Sequence, residues 1–295
     1  MHILHIDSGT EMRGGQWQVL RLIEGLSARN HRNVLMARAD APLFAEAKRR
    51  EIEVQPLNFH PLLRGTRVAD ITHAHDARSH TIAALLAPLR LVVSRRVAFP
   101  VHRNRFSSWK YRQATRYIAV SKFVRQKLLD AGIAFSRISV VYDGVPMHSP
   151  AEGGEILIPE SHDPGKGMEL ALASVELAGK TARVSNNLEN DLAHAALFLY
   201  ITHSEGLGSA VLLAMAFGVP VIASKVGGLV EIVKHERTGL LTENTPEAIA
   251  SAIRRLAKDQ EYARSLGHNA RQRVKERFSV DRMVTDTVAV YEAIA

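Results

Sequence analysis

The sequence predicts an α/β protein built from two units, each a parallel sheet covered by helices. Short apolar runs of strand length alternate with amphipathic stretches almost from end to end, as β-α repeats do. A stretch rich in Gly, Pro, Ser and acid, YDGVPMHSPAEGGE (Tyr142 to Glu155), interrupts that alternation near its middle. A length of 295 residues is long for one domain and natural for two.

The elements follow in order. MHILHI opens the first unit as a strand, and WQVLRLIEGLSAR follows with Val19, Leu20, Ile23 and Leu26 at helical spacing. NVLMARA is a strand, PLFAEAKRREI a polar helix, VQPLN a strand. ADITHAH, RLVVSRRV, RYIAVS and ISVVYDGV continue the strands, with KFVRQKLLDAG as a helix between the last two. The second unit restarts with strand EILIP and helix GMELALASVELAG. LFLYITHS then leads into a glycine turn and a buried helix, and PVIAS and TGLLT are further strands. PEAIASAIRRLAKD and VDRMVTDTVAVYEAIA close the chain as long helices. The expected units are residues 1–147 and 148–295. No short-period repeat is present.

Hydrophobic residues make up 46% and charged residues 23%, an ordinary globular balance. The absence of cysteine excludes a disulfide framework and a thiolate metal site. Met1 runs straight into HILHID without a basic start or cleavage site, so no secretory signal is expected. The longest apolar run, Ala210 to Ala223, is broken by Gly218 and Pro220 and falls short of a membrane span. A formal charge of +8 and a pI of about 9.9 point to polyanionic neighbours: nucleic acid, anionic lipid or phosphorylated small molecules.

Five segments carry candidate chemistry. EGLGS (Glu205 to Ser209) lies between an apolar strand and an apolar helix. Its glycines allow close backbone approach, and the helix mouth offers unpaired N–H groups and a partial positive charge that suit a phosphate. A carboxylate beside it can accept from sugar hydroxyls; the plainer alternative is a helix cap with packing glycines. HDPGKG (His162 to Gly167) also enters a helix after a strand, and Lys166 there either meets a phosphate or is simply solvated. GTEMRGGQWQ (Gly9 to Gln18) lacks both the dinucleotide-fold and the P-loop spacing, which counts against a dehydrogenase and an ATPase. Close approach of a ligand at Gly14-Gly15 remains open.

In THAHD, His73 and His75 share one strand face, but no third metal ligand is evident, so packed or cleft-lining histidines are preferred. SRRVAFPVHRNRFSSWKYRQATR (Ser94 to Arg116) interleaves Arg95, Arg96, Arg103, Arg105, Lys110 and Arg112 with Phe99, Phe106, Trp109 and Tyr111. It is either a solvated face or a surface for an anionic acceptor or lipid. No nucleic-acid module accompanies it, so no nucleic-acid partner is expected.

With these pieces in place, the chain resembles the family-four retaining glycosyltransferases of the GT-B type over nearly its whole length. The resemblance rests on Gly14-Gly15, IAVSKFVRQKL, VVYDGV, DPGKG and, most specifically, EGLGSAVLLAMAFGVPVIASKVGGLVEIVKHERTGLL. It implies two Rossmann-like domains with parallel sheets facing across a cleft, the second holding a nucleotide-sugar and the first an acceptor. It further implies Lys166 on the donor diphosphate and Glu205 on hydroxyls of the transferred sugar, as the catalytic pair. Gly14, Gly15, Gly206, Leu207, Gly208 and Ser209 would line the donor, and His73, His75, Arg95, Arg96 and Lys110 would serve the acceptor or a surface. No metal or other cofactor is expected, since a cation and a helix end can meet the leaving-group charge.

The chain departs from the family pattern in several places. The second Glu, usual eight residues after the first, is Leu213, and the usual Arg before the Lys falls near Ser161. Where many relatives have a His after a first-domain strand, this chain has Arg95-Arg96. Lys166 and Glu205 lie only 39 positions apart, so the donor unit is shortened, and a similar shortening precedes THAHD. A pared-down enzyme, a degenerate one and an incomplete sequence all fit these departures. The expected partners are a nucleotide-sugar, a cell-envelope saccharide or lipid-linked acceptor, and an anionic membrane surface. The expected location is the cytoplasm, at the inner face of the membrane.

Overall fold

The computed structural model describes residues 1–86, 90–101, 104–161 and 163–295. His162 and Arg103, both named above, lie outside the described residues. The chain forms two compact units, 1–143 together with 280–295, and 144–279.

The first unit runs β1 (His2–Asp7), α1 (Gly14–Ser27), β2 (Arg32–Ala37), α2 (Pro42–Arg49), β3 (Val54–Pro56), α3 (Phe59–Val68) and β4 (Ile71–Ala74). It continues with α4 (Ala77–Leu86), β5 (Leu91–Arg95), α5 (Arg105–Gln113), β6 (Arg116–Ala119), α6 (Lys122–Asp130) and β7 (Ile138–Val140). Every strand pairing is parallel, in the order β3-β2-β1-β4-β5-β6-β7. The inner strands are buried on both faces because helices cover both, which is why runs such as LVV in β5 read as continuously apolar.

The second unit holds β8 (Glu155–Pro159), α7 (Met168–Leu177), β9 (Ala182–Ser185), α8 (Leu188–Asp191), β10 (Ala195–Tyr200) and α9 (Ser209–Ala216). After these come β11 (Val221–Ser224), α10 (Leu229–Ile232), β12 (Leu240–Thr242), α11 (Pro246–Lys258) and α12 (Gln260–Arg277). Its five strands are parallel in the order β12-β11-β10-β8-β9. Ile158, Val175, Leu199, Ile222, Ile249, Ile253 and Leu266 share its core. The edge strand β9 was not foreseen, because its ARVS sequence is polar and largely exposed rather than an apolar run.

The last helix corrects the expected division at 147/148. The chain enters the second unit after Asp143, and α13 (Val280–Glu292) returns to the first. Met283, Val284, Val290 and Tyr291 join Ile3, Leu22, Leu26, Ile71 and Val92 in one core. Gly25 makes this possible: a Cβ there would lie 2.4 Å from Val284 Cγ2, so only glycine lets the two helices approach. Arg29 pairs with Asp281 and also donates to Thr285 Oγ1 at 2.8 Å.

Candidate active site

In the second sheet the chain goes from β8 outward to β9 and returns as β10 on β8's other side. The loops leaving the C-terminal ends of β8 and β10 therefore diverge, which opens the crevice where α/β sheets hold ligands. Lys166 ends the short turn Pro164–Lys166 after β8, and Glu205 follows β10.

Local chemistry fixes both loops. The Asp163 carboxylate accepts from Gly165 N–H at 2.9 Å and caps the turn. Gly167 adopts φ +56°, and a Cβ there would sit 3.0 Å from Ile201, so glycine is required between the lysine and α7. Thr202 Oγ1 and His203 N both donate to Gly165 O, at 3.1 and 2.9 Å, which ties the lysine's turn to the loop after β10. Gly208 enters α9 at φ +106°, where a Cβ would come within 2.5 Å of Leu229 Cδ2.

These constraints bring Lys166 Nζ to 2.7 Å from Glu205 Oε2. Tyr200, at the end of β10, donates its hydroxyl to the same oxygen at 2.6 Å and lies 3.3 Å from Lys166 Nζ. Gly206 N–H donates to Glu205 Oε1 at 2.9 Å. Burial, reinforced by the adjacent Glu205 charge, pushes the Tyr200 phenol well above its ordinary value, so it stays protonated and donating. Lys166 and Glu205 are partly buried, which leaves one side of the pair open.

Of the donor-lining residues expected in this unit, Gly206, Leu207 and Gly208 are buried, whereas Ser209 remains partly accessible at the mouth of α9. Sequence reasoning missed Gly227 and Gly228. A Cβ on either would fall 2.1 Å from the carbonyl oxygen of Glu205 or Gly206, and Gly228 N–H donates to Glu205 O at 3.0 Å. Their signal was visible as the VGG doublet in the most specific block. Leu213 is 8% exposed on α9, whose residues from Val211 to Ala216 are all buried. Ser161 accepts from Asp163 N–H at 3.2 Å and shapes the turn without supplying a charge.

In the first unit, Gly14 and Gly15 open α1, the helix after β1, and a Cβ on Gly15 would lie 3.6 Å from Arg96 Cδ. His73 and His75, expected at an acceptor or surface, are instead buried. Parallel pairing sets His5 directly beside His73, and this third imidazole, with a ring nitrogen within 4.8 Å of those of His73 and His75, is the neighbour the sequence did not reveal. The three rings form a hydrogen-bonded set. His5 Nε2 donates to Asn33 Oδ1 at 3.1 Å, which leaves His5 Nδ1 to accept from His75 Nε2 at 2.9 Å. His73 bonds Tyr291 Oη at 2.6 Å and Ser94 Oγ at 2.8 Å. Burial lowers His5 to about 4 and His73 and His75 well below their ordinary value, so all three are neutral. Arg96 stands 3.5 Å from His75 Nδ1, a poor neighbour for a metal ion.

The basic segment divides. Arg95 donates to Tyr111 Oη at 2.8 Å, Arg96 pairs with Asp143 at 3.4 Å, and Lys110 donates to Thr81 Oγ1 at 3.2 Å. These three expected surface cations are thus turned toward their own scaffold. Arg105 and Arg112 remain exposed, as do Phe99 and Phe106 of the same segment, at 69% and 55% exposure. Among the described residues, no helix is long and apolar enough to cross a membrane.

Residues 12–148 match the family described as Glycosyltransferase Family 4, and residues 172–273 match Glycosyl transferases group 1. N-acetyl-alpha-D-glucosaminyl L-malate synthase of Bacillus anthracis is 36% identical over 107 residues, which is 36% of this chain and 28% of that enzyme. An uncharacterized glycosyltransferase of Methanocaldococcus jannaschii is 28% identical over 223 residues, 64% of this chain and 63% of the relative. The matched stretches thus span under two thirds of either relative. Among solved structures, Anabaena HepE in complex with UDP-glucose superposes with a TM-score of 0.85 at 19% identity, covering 99% of this chain and 100% of that one. That likeness establishes the fold.

Proposed function

Because the chain belongs to the family-four glycosyltransferases of the GT-B type, we propose that it moves a sugar from a nucleotide-sugar to a cell-envelope saccharide or lipid-linked acceptor, with retention of anomeric configuration. The observation that carries this reading is the Lys166 ammonium held 2.7 Å from the Glu205 carboxylate beside the mouth of α9. A departing nucleoside diphosphate gains negative charge as the glycosidic bond lengthens. The Lys166 ammonium and the partial positive charge of the α9 amino end meet that charge where it develops, so the reaction needs no metal. Glu205 accepts from hydroxyls of the transferred sugar and fixes its orientation. The acceptor hydroxyl attacks from the face the diphosphate leaves and gives its proton to the departing phosphate oxygen as the new glycosidic bond forms.

Arg105 and Arg112, together with the exposed Phe99 and Phe106 of the same segment, support docking of the first unit on anionic lipid at the cytoplasmic face of the membrane. Turnover with a panel of nucleotide-sugars tests the catalytic reading. Glu205→Gln is expected to lose most of its activity while melting within a few degrees of the wild type. Full activity in that variant contradicts the role of Glu205.

A second reading is favoured by Leu213. An apolar, buried side chain stands where the family resemblance implies a Glu that grips the nucleotide ribose. On that reading the chain is a catalytically degenerate relative that binds a glycan or a partner. Calorimetry with uridine and guanosine diphosphates separates the two, since a degenerate binder gives no heat with either.

A further inference from the structure

We infer that Tyr200 is a positioning residue that lets Lys166 pass from Glu205 to the donor diphosphate; this rests on the function proposed above and deepens it. The pair has a built-in conflict. With Lys166 Nζ 2.7 Å from Glu205 Oε2, the ammonium intended for the diphosphate is already neutralised by its own carboxylate. Binding a diphosphate draws the ammonium away and strips one donor from a carboxylate that is only 15% exposed. A carboxylate left short of donors in such a place raises the free energy of the bound state.

Tyr200 removes much of that cost. Its hydroxyl, 2.6 Å from the same Oε2, is buried on the last residue of β10 and donates to Glu205 with or without the lysine. Gly206 N–H holds Oε1 at 2.9 Å. Each carboxylate oxygen therefore keeps one donor after the ammonium departs. The 3.3 Å contact from Lys166 Nζ to the Tyr200 oxygen and the 5.7 Å approach of Nζ to its ring give the ammonium a surface to move across. Tyr200 touches neither reacting atom and acts through Glu205 and Lys166. Sequence reading hid it, because Tyr200 ends the apolar run LFLY and reads there as one more strand hydrophobe.

The experiment is a double-mutant cycle of Tyr200→Phe and Glu205→Gln, read by calorimetry with UDP, GDP and inorganic pyrophosphate as probes, each variant checked by far-ultraviolet circular dichroism. Tyr200→Phe keeps the ring and loses only the hydroxyl. It is expected to weaken diphosphate affinity about 10-fold or more, the size of one hydrogen bond to a charged group. Glu205→Gln releases the lysine and is expected to bind at least as tightly as the wild type. In the Glu205→Gln background, Tyr200→Phe is expected to change affinity less than twofold, because the hydroxyl acts through the carboxylate charge.

A Tyr200→Phe loss that persists in that background shows that the hydroxyl acts independently of the Glu205 carboxylate and overturns the inference. Wild-type affinity in Tyr200→Phe also overturns it and leaves the glycosyltransferase reading standing. No binding of any probe by folded wild-type protein refutes both.

Discussion

Lowering the pH from 7 to 5 is expected to destabilise the first unit, because it buries histidines that cannot charge while folded. Burial is the leading cause for each of them. It lowers His5 to about 4 and, with the neighbouring Lys110 charge, His80 to about 3, against an ordinary value of 6.5. His73 and His75 shift in the same direction, packed against His5 and facing Arg96. His80 lies against Tyr111 and Tyr117, with Arg95 and Asp76 also acting on it. The sign follows from which state takes up protons. Below pH 6.5 the unfolded chain protonates these rings and the folded chain does not. The stability they leave intact above pH 6.5 is therefore lost as the pH falls toward their folded values. Between pH 7 and 5 each such histidine removes about 2 kcal/mol, so His5 and His80 together remove about 4 kcal/mol. Asp7 opposes this in part, since burial and the Asp76 charge raise its carboxyl.

For a unit of this size, each kcal/mol shifts the melting temperature by about 2–4 °C, so these two residues alone lower it by about 8–16 °C. Both tryptophans, Trp17 and Trp109, belong to the first unit, so tryptophan fluorescence reports its unfolding alone. His80→Phe suits the test, because His80 is buried with Nε2 unpartnered among the described residues. The variant is expected to recover about 2 kcal/mol of the acid loss, roughly half of what these two histidines remove. A fluorescence melting temperature that is equal at pH 7 and 5 refutes the reasoning. So does a His80→Phe protein whose acid loss matches the wild type.

Gly208→Ala is expected to cost about 2–4 kcal/mol, since it places a Cβ 2.5 Å from Leu229 at φ +106°; urea unfolding followed by circular dichroism measures it. Deleting residues 280–295 is expected to unfold the first unit, although those residues follow the second in sequence; loss of the cooperative fluorescence transition reports it. Arg105→Glu combined with Arg112→Glu is expected to abolish flotation with anionic vesicles at low salt. Wild-type flotation is expected to fall as salt is raised, and salt-independent flotation contradicts the electrostatic account.

Two parallel sheets were legible because fully covered strands leave unbroken apolar runs, as in LVVS and LFLY, and helices leave a 3.6-residue period. The EGLGS turn was legible because two glycines one residue apart between apolar elements have few other uses. The return of α13 was not legible: an amphipathic pattern shows that a helix has a buried face but not which core receives it. Nor was the histidine cluster. His5 meets His73 only through the β1–β4 pairing, a contact 68 residues apart that no local pattern announces. The basic segment misled for a related reason. Arginine and lysine have long stems that reach back to carbonyls and hydroxyls, so Arg95, Arg96 and Lys110 read as surface charge while serving as internal ties. Tyr200 and the Gly227-Gly228 doublet were in plain view, but their meaning depends on what lies opposite them.

The account depends most on a diphosphate docking beside Lys166 at the amino end of α9. A thermal-shift screen of nucleotide-sugars on the wild type and on Lys166→Met tests this directly. A donor at a hundred times its Kd stabilises the folded protein by about 2.7 kcal/mol, a shift of several degrees. The account predicts that at least one nucleotide-sugar raises the wild-type melting temperature by that much and leaves Lys166→Met unmoved. A screen in which no donor shifts the wild type, or in which one shifts both proteins equally, contradicts it.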